Sequence, residues 1–186
     1  MKTLLPVRKI PGFRLLLLIL LVFFSVTGCN YIEHEEAMKK VKSTDLSSES
    51  IGGIKIGVYM KDVELLHAGN PFKPRPENDE YERNYDQYYN KYFELGIHKP
   101  SSEILYVSTG ENKKYSTKKG IKVGASIEEV KKAYGQDYFI YTDREQKIYE
   151  IGYVDRENNI ELHFTYLNKK VDGIYLGYAF NRIIWY

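Results

Sequence analysis

Two stretches of sixteen residues, GIKIGVYMKDVELLHA from Gly53 and GIKVGASIEEVKKAYG from Gly120, align without a gap. Gly53, Ile54, Lys55, Gly57 and Val63 in the first are matched by Gly120, Ile121, Lys122, Gly124 and Val130 in the second. Ile56 over Val123 and Asp62 over Glu129 are conservative pairs. Five identities in sixteen exceed what chance supplies. The recurrence therefore reads as an internal duplication with a spacing of 67 residues, and it restricts the fold to those built from two similar units.

The second unit is the easier to read. Ser126 followed by Glu129 is the S-x-x-E capping box, Ile127 and Val130 begin an apolar stripe, and Gly135 is placed to stop the helix. The segment SIEEVKKAY is thus predicted to be a short helix. After it come DYFIYT, KIYEIGYV, IELHFTY and GIYLGYA, separated by the polar turns DREQ, DRENN and NKKVD. Their aromatic enrichment and spacing predict four antiparallel strands. The first unit ends in the same way, with YFELGIH and EILYVST flanking the loop KPSS. Between lies NPFKPRPENDEYERNYDQYYNK, in which Tyr81, Tyr85, Tyr88 and Tyr92 fall at helical spacing. The duplication and the tyrosine content favour a strand there, so residues 77 to 94 stay open between helix and strand, with strand preferred. The expected fold is α+β, a single domain over 51–186 made of two tandem repeats (about 53–109 and 120–178). Each repeat is a short helix followed by an antiparallel β-meander, with the helices packed on one sheet face.

The start of the chain carries an address. Lys2, Arg8, Lys9 and Arg14 precede an unbroken apolar run from Leu15 to Phe24, the layout of a secretory signal over residues 1–28. Those ten residues rise only ~15 Å as a helix, against a hydrocarbon core of ~30 Å, so a cleaved signal fits better than a permanent span. Val26, Thr27, Gly28 and Cys29 resemble the lipobox of bacterial lipoproteins. The resemblance implies cleavage before Cys29 and attachment of diacylglycerol to its sulfur, which makes the sole cysteine a membrane anchor on the extracytoplasmic face. Residues 29–50 then read as the lipidated cysteine and a polar tether, helical in its first half. Residues 29 to 186 hold 23 basic and 25 acidic side chains, and this balance gives no argument for nucleic acid.

The plan G-I-K-V-G-x-S-x-x-E-V, a short helix, a glycine and antiparallel strands resembles the repeat of the β-lactamase inhibitor protein and small envelope lipoproteins of low-GC Gram-positive bacteria. That resemblance implies a binding function, with an open aromatic sheet face turned to a protein partner. Alternation supplies the face. In IELHFTY, Glu161, His163 and Thr165 lie opposite Ile160, Leu162 and Phe164, and in YFELGIH, Tyr92, Glu94 and His98 lie opposite Phe93, Leu95 and Ile97. With Tyr106 and Tyr175 on the partner strands, the candidate partner-binding residues are Tyr92, Glu94, His98, Tyr106, Glu161, His163 and Tyr175.

Catalytic and metal signatures are sparse. The four histidines His34, His67, His98 and His163 are scattered, without H-E-x-x-H or C-x-x-C, and no metal or other cofactor is expected. There is no G-x-S-x-G nucleophile elbow. The acidic pairs Glu128–Glu129 and Asp143–Glu145 suit a helix start and a turn, and DRENNIE lacks the central glycine of a calcium loop. The expectation is a non-enzymatic, lipid-anchored module that binds another envelope protein. A cell-wall or carbohydrate hydrolase using an acidic pair, or a small-ligand or cation-binding lipoprotein, is the alternative.

Overall fold

Strand-forming sequence dominates the chain, and its alternation is resolved by a single sheet. The computed structural model describes residues 29–184 apart from 67–68, 77–82, 111 and 145. Within them are helices α1 (Cys29–Lys39), α2 (Met60–Leu66) and α3 (Ile127–Tyr134). The strands are β1 (Lys73–Pro74), β2 (Tyr85–Tyr89), β3 (Glu94–His98), β4 (Ile104–Thr109), β5 (Phe139–Asp143), β6 (Ile148–Asp155), β7 (Ile160–Leu167) and β8 (Lys170–Tyr178). All eight join one antiparallel sheet in the order β1-β2-β3-β4-β8-β7-β6-β5. Turn chemistry sets the register. Asn168 and Lys169 both take positive φ, 52° and 61°, the geometry of the two-residue turn that matches strand twist, and they place Leu167 opposite Lys170.

The two-repeat α+β expectation is corrected by this sheet. Strands from the two halves merge where β4 pairs with β8, Tyr106 opposite Gly177 and Ser108 opposite Tyr175. The reason is burial: Ile104, Leu105, Tyr106 and Val107 are all nearly inaccessible, and a strand apolar on both sides cannot remain an edge. Nor do the helices of the two repeats cover a sheet face. α2 has seven residues and α3 eight, which makes each ~10–12 Å long against a sheet ~34 Å wide. Most of the layer on the apolar face is built instead from turns and isolated bridges, such as Ile51 with Ile54 and Ser116 with Lys122. The helices add Met60, Val63, Val130 and Tyr134 to a core otherwise made by Ile51, Ile54, Ile121, Leu95, Val107, Leu162, Phe164, Ile174 and Leu176.

Local similarity between the recurring segments is nevertheless plain. Gly53 and Gly120 have φ of 86° and 87°, Gly57 and Gly124 of 80° and 94°, a region that favours glycine at all four positions. Val63 and Val130 are both fully buried. Helix α3 starts as its sequence demands: Ser126 accepts from the Glu129 backbone and Glu129 reaches back to the Ser126 N–H at 2.7 Å. Within the tyrosine-rich passage Tyr85 to Tyr89 is strand, laddered against β3.

The segment expected to be a free tether is docked. Met38 packs with Phe139, Val154 and Ala179 in a small second core on the other side of the sheet. The Arg156 guanidinium donates to the carbonyls of Met38, Lys39 and Val41, closing the end of α1. Farther along, Leu46 is buried in the main core and its N–H donates to Asp155 at 2.9 Å, and buried Glu49 accepts from Tyr134 at 2.9 Å. No helix among the described residues is long and apolar enough to cross a membrane.

Candidate functional site

Alternation places six of the seven expected face residues on one side of the sheet. Pairing of Glu94 with Ser108, Tyr106 with Gly177, Ser108 with Tyr175, His163 with Tyr175 and Glu161 with Gly177 lines them up across β3, β4, β8 and β7. His98, at the end of β3, lies opposite Tyr85, and its Nδ1 is bonded to Ser101 at 2.8 Å. Tyr92 is the exception. It lies in the turn before β3 and packs edge-on against Tyr115, beside the main core on the opposite side. Val26, Thr27 and Gly28 of the lipobox, like His67, lie outside the described residues, and Cys29 is the first residue of α1.

The face is not open. Tyr106 is 6% exposed and Glu161 7%. Glycines let the rings lie flat on the strands: a Cβ on Gly96 would stand 2.2 Å from the Tyr106 ring, and one on Gly152 would stand 2.3 Å from the Phe139 ring. Ile183 packs against the Tyr85–Tyr106 cluster, and Asn84 holds the segment it belongs to through Arg182 and Ile184. Tyr106 also takes a hydrogen bond from Gln87 and gives one to Glu94, so its hydroxyl is committed. At the other end α1 covers β5, β6 and β7.

Beneath α1 a compact cluster of ionisable groups forms. His34, from α1, brings Nε2 to 3.4 Å from Glu150 Oε2, and His163, from β7, brings Nε2 to 3.9 Å from Glu150 Oε1. Gly152 sits opposite His163 in the β6–β7 ladder, two residues from Glu150, which is why Glu150 projects from the same face. Aromatic walls enclose the cluster. The His34 ring meets Phe139 and Tyr141 edge-on at 5.2 and 5.0 Å, and the His163 ring stacks on Tyr175 at 4.5 Å. His34 Nε2, His163 Nδ1 and Glu161 Oε2 are buried and have no hydrogen-bond partner. At 3.4 Å the His34–Glu150 contact has ion-pair distance without hydrogen-bond geometry.

Charge is partitioned sharply within this cluster. Burial raises Glu161 to about 8 and lowers His163 to about 4, so both are uncharged at neutral pH. Burial also acts against charge on His34 and Glu150, but there the partners prevail. Glu150 raises His34, and His34 lowers Glu150. Of the two histidines, His34 is therefore the one that favours its proton, and it faces the Glu150 carboxylate between a helix and a sheet. Glu150 also borders a surface cleft of about 400 Å³ with Thr165, Tyr149, Tyr166 and Asp172.

No family model, curated protein or solved structure matches this chain. His34 and Glu150 are the residues that sequence reasoning missed. Glu150 carried a readable signal, because KIYEIGYV alternates and its glutamate falls on the face of His163 once β6 and β7 are paired. His34 carried none, lying in a segment without apolar period.

Proposed function

We propose that this chain is a lipid-anchored, extracytoplasmic binding module of a bacterial envelope that takes a small ligand and performs no catalysis. The anchor rests on the lipobox-like Val26 to Cys29 after an apolar run. The binding reading is carried by the recessed His34–Glu150–His163 cluster and its unpartnered polar atoms, because buried donors and acceptors are rarely left unsatisfied unless something else meets them. A protein partner on the tyrosine face would have to displace α1 and the segment around Ile183, which argues for a small ligand at this face. The hydrolase alternative loses support because Glu161, 7% exposed, does not reach the cleft that Glu150 borders, so the two carboxylates do not share an open site.

Mass spectrometry of membrane-extracted protein tests the anchor. A new N-terminus at Cys29 carrying a diacylglycerol mass is expected, and Cys29→Ala should leave the chain unprocessed. An unmodified Cys29 in the native protein would remove the anchored reading.

A further inference from the structure

We propose that His34, Glu150 and His163 bind a divalent transition-metal cation of the zinc, cobalt or nickel class, which names the ligand of the recessed site and rests on reading it as a binding site. One ligand atom from each of the three residues lies within 4.8 Å of the others. Ligand atoms on a tetrahedral zinc, each ~2.0–2.1 Å from the ion, stand ~3.3 Å apart. The contacts here, 3.4 Å from His34 and 3.9 Å from His163 to the two Glu150 oxygens, are close enough for small side-chain rotations to complete the shell.

An unpartnered atom is the second, independent observation. His34 Nε2, the nitrogen that faces Glu150, is buried without a hydrogen bond although the carboxylate stands beside it. Two imidazoles and one carboxylate form a borderline donor set, suited to zinc, cobalt and nickel and ill suited to calcium or magnesium, which prefer all-oxygen shells. The rings of Phe139, Tyr141 and Tyr175 give the site the water-poor surroundings in which imidazole–metal bonds are strong. The cleft that borders Glu150 offers an entry path. Three protein ligands leave a fourth position free, the arrangement of an exchangeable rather than a sealed structural ion. Since His34 comes from α1 and the other two ligands from β6 and β7, an ion would also join helix to sheet.

The competing account is an ion pair that docks α1 with no metal, and a titration separates the two. The full chain, extracted from membranes, stripped with chelator and checked by circular dichroism, is titrated with Co²⁺ and then Zn²⁺. One Co²⁺ per chain is expected, with the intense visible band of a four- or five-coordinate site, displaced by Zn²⁺. Glu150→Gln and His163→Ala should each weaken binding by at least ~100-fold, and His98→Ala should leave it unchanged. His34→Ala removes a ligand from outside the sheet, so its loss of affinity can be read even where a strand variant fails to fold. No saturable binding up to about 100 µM, or undiminished binding by His34→Ala, overturns the proposal. The mass of Cys29, measured on the same sample, reports anchoring separately, so a failed metal site and a failed anchor cannot be confused.

Discussion

Glu161 and His163 lie two residues apart on β7, and the same burial drives them in opposite directions, the acid up to about 8 and the base down to about 4. The acid has the clearer consequence. Between its ordinary value of 4.5 and about 8, the folded chain keeps a proton that the unfolded chain releases, so stability falls as pH rises through that window. His163, buried neutral with its value lowered from 6.5 to about 4, acts in the opposite sense below 6.5, so metal-free protein should show its declining denaturant midpoint from about pH 6.5 to pH 8, and Glu161→Gln should flatten the decline. A slope unchanged by the substitution would show that Glu161 is not held protonated. At this scale alternation revealed which side of β7 the pair occupies. It could not reveal their burial, because the cover comes from α1, whose sequence has no apolar stripe to announce a docked helix.

Among elements, those with self-contained signals were readable. The Ser126–Glu129 box starts α3 where its spacing says it must, and the runs after it are strands β5 to β8. Ser126→Ala removes one half of the box and should cost ~1 kcal/mol, read as a lower thermal midpoint with an unchanged sheet signal in circular dichroism. An effect near zero would mean that the bridge of Ser126 to Lys170 carries this end of the helix instead. The tyrosines around residue 85 show why other elements were ambiguous. Tyr81, Tyr85, Tyr88 and Tyr92 repeat like a helix, yet Tyr85 to Tyr89 is a strand, because ladder bonds to β3 and the edge-on contact of Tyr85 with Tyr106 outweigh spacing. For α1 the deciding contacts are remote, with Arg156 more than a hundred positions away closing its last turn.

At the level of the whole molecule, the repeated sequence suggested two units, whereas the strands form one. The distinction lies in the β4–β8 seam and in a core that joins Leu95 and Val107 of one half to Leu162 and Ile174 of the other. Neither half has that core alone. Unfolding should accordingly be a single transition, with calorimetric and van't Hoff enthalpies in agreement and far- and near-ultraviolet circular dichroism coinciding. Two resolved transitions would mean that the seam is weaker than the ladder on either side. Pairing between β4 and β8 was not legible because strand order depends on which faces are buried together, a property of the assembled sheet and not of any one segment. The edges are managed differently. β1 is two residues long and ends in Pro74, which blunts it, while the outermost strand at the other end, β5, has α1 over its face.

That last contact gives the molecule a near side and a far side. His34 follows Cys29 by five residues, a rise of ~7.5 Å along α1, and α1 is held to the strands at both the His34 ring and the Arg156 clasp. A chain fastened to a bilayer through Cys29 would not swing like a ball on a string. It would stand like a blade in a bracket, with β5 close to the lipid headgroups and the β1 edge raised by the breadth of the sheet. Whatever enters the recess under α1 would then be drawn from the thin layer of solution next to the membrane, where cations gather above anionic lipid.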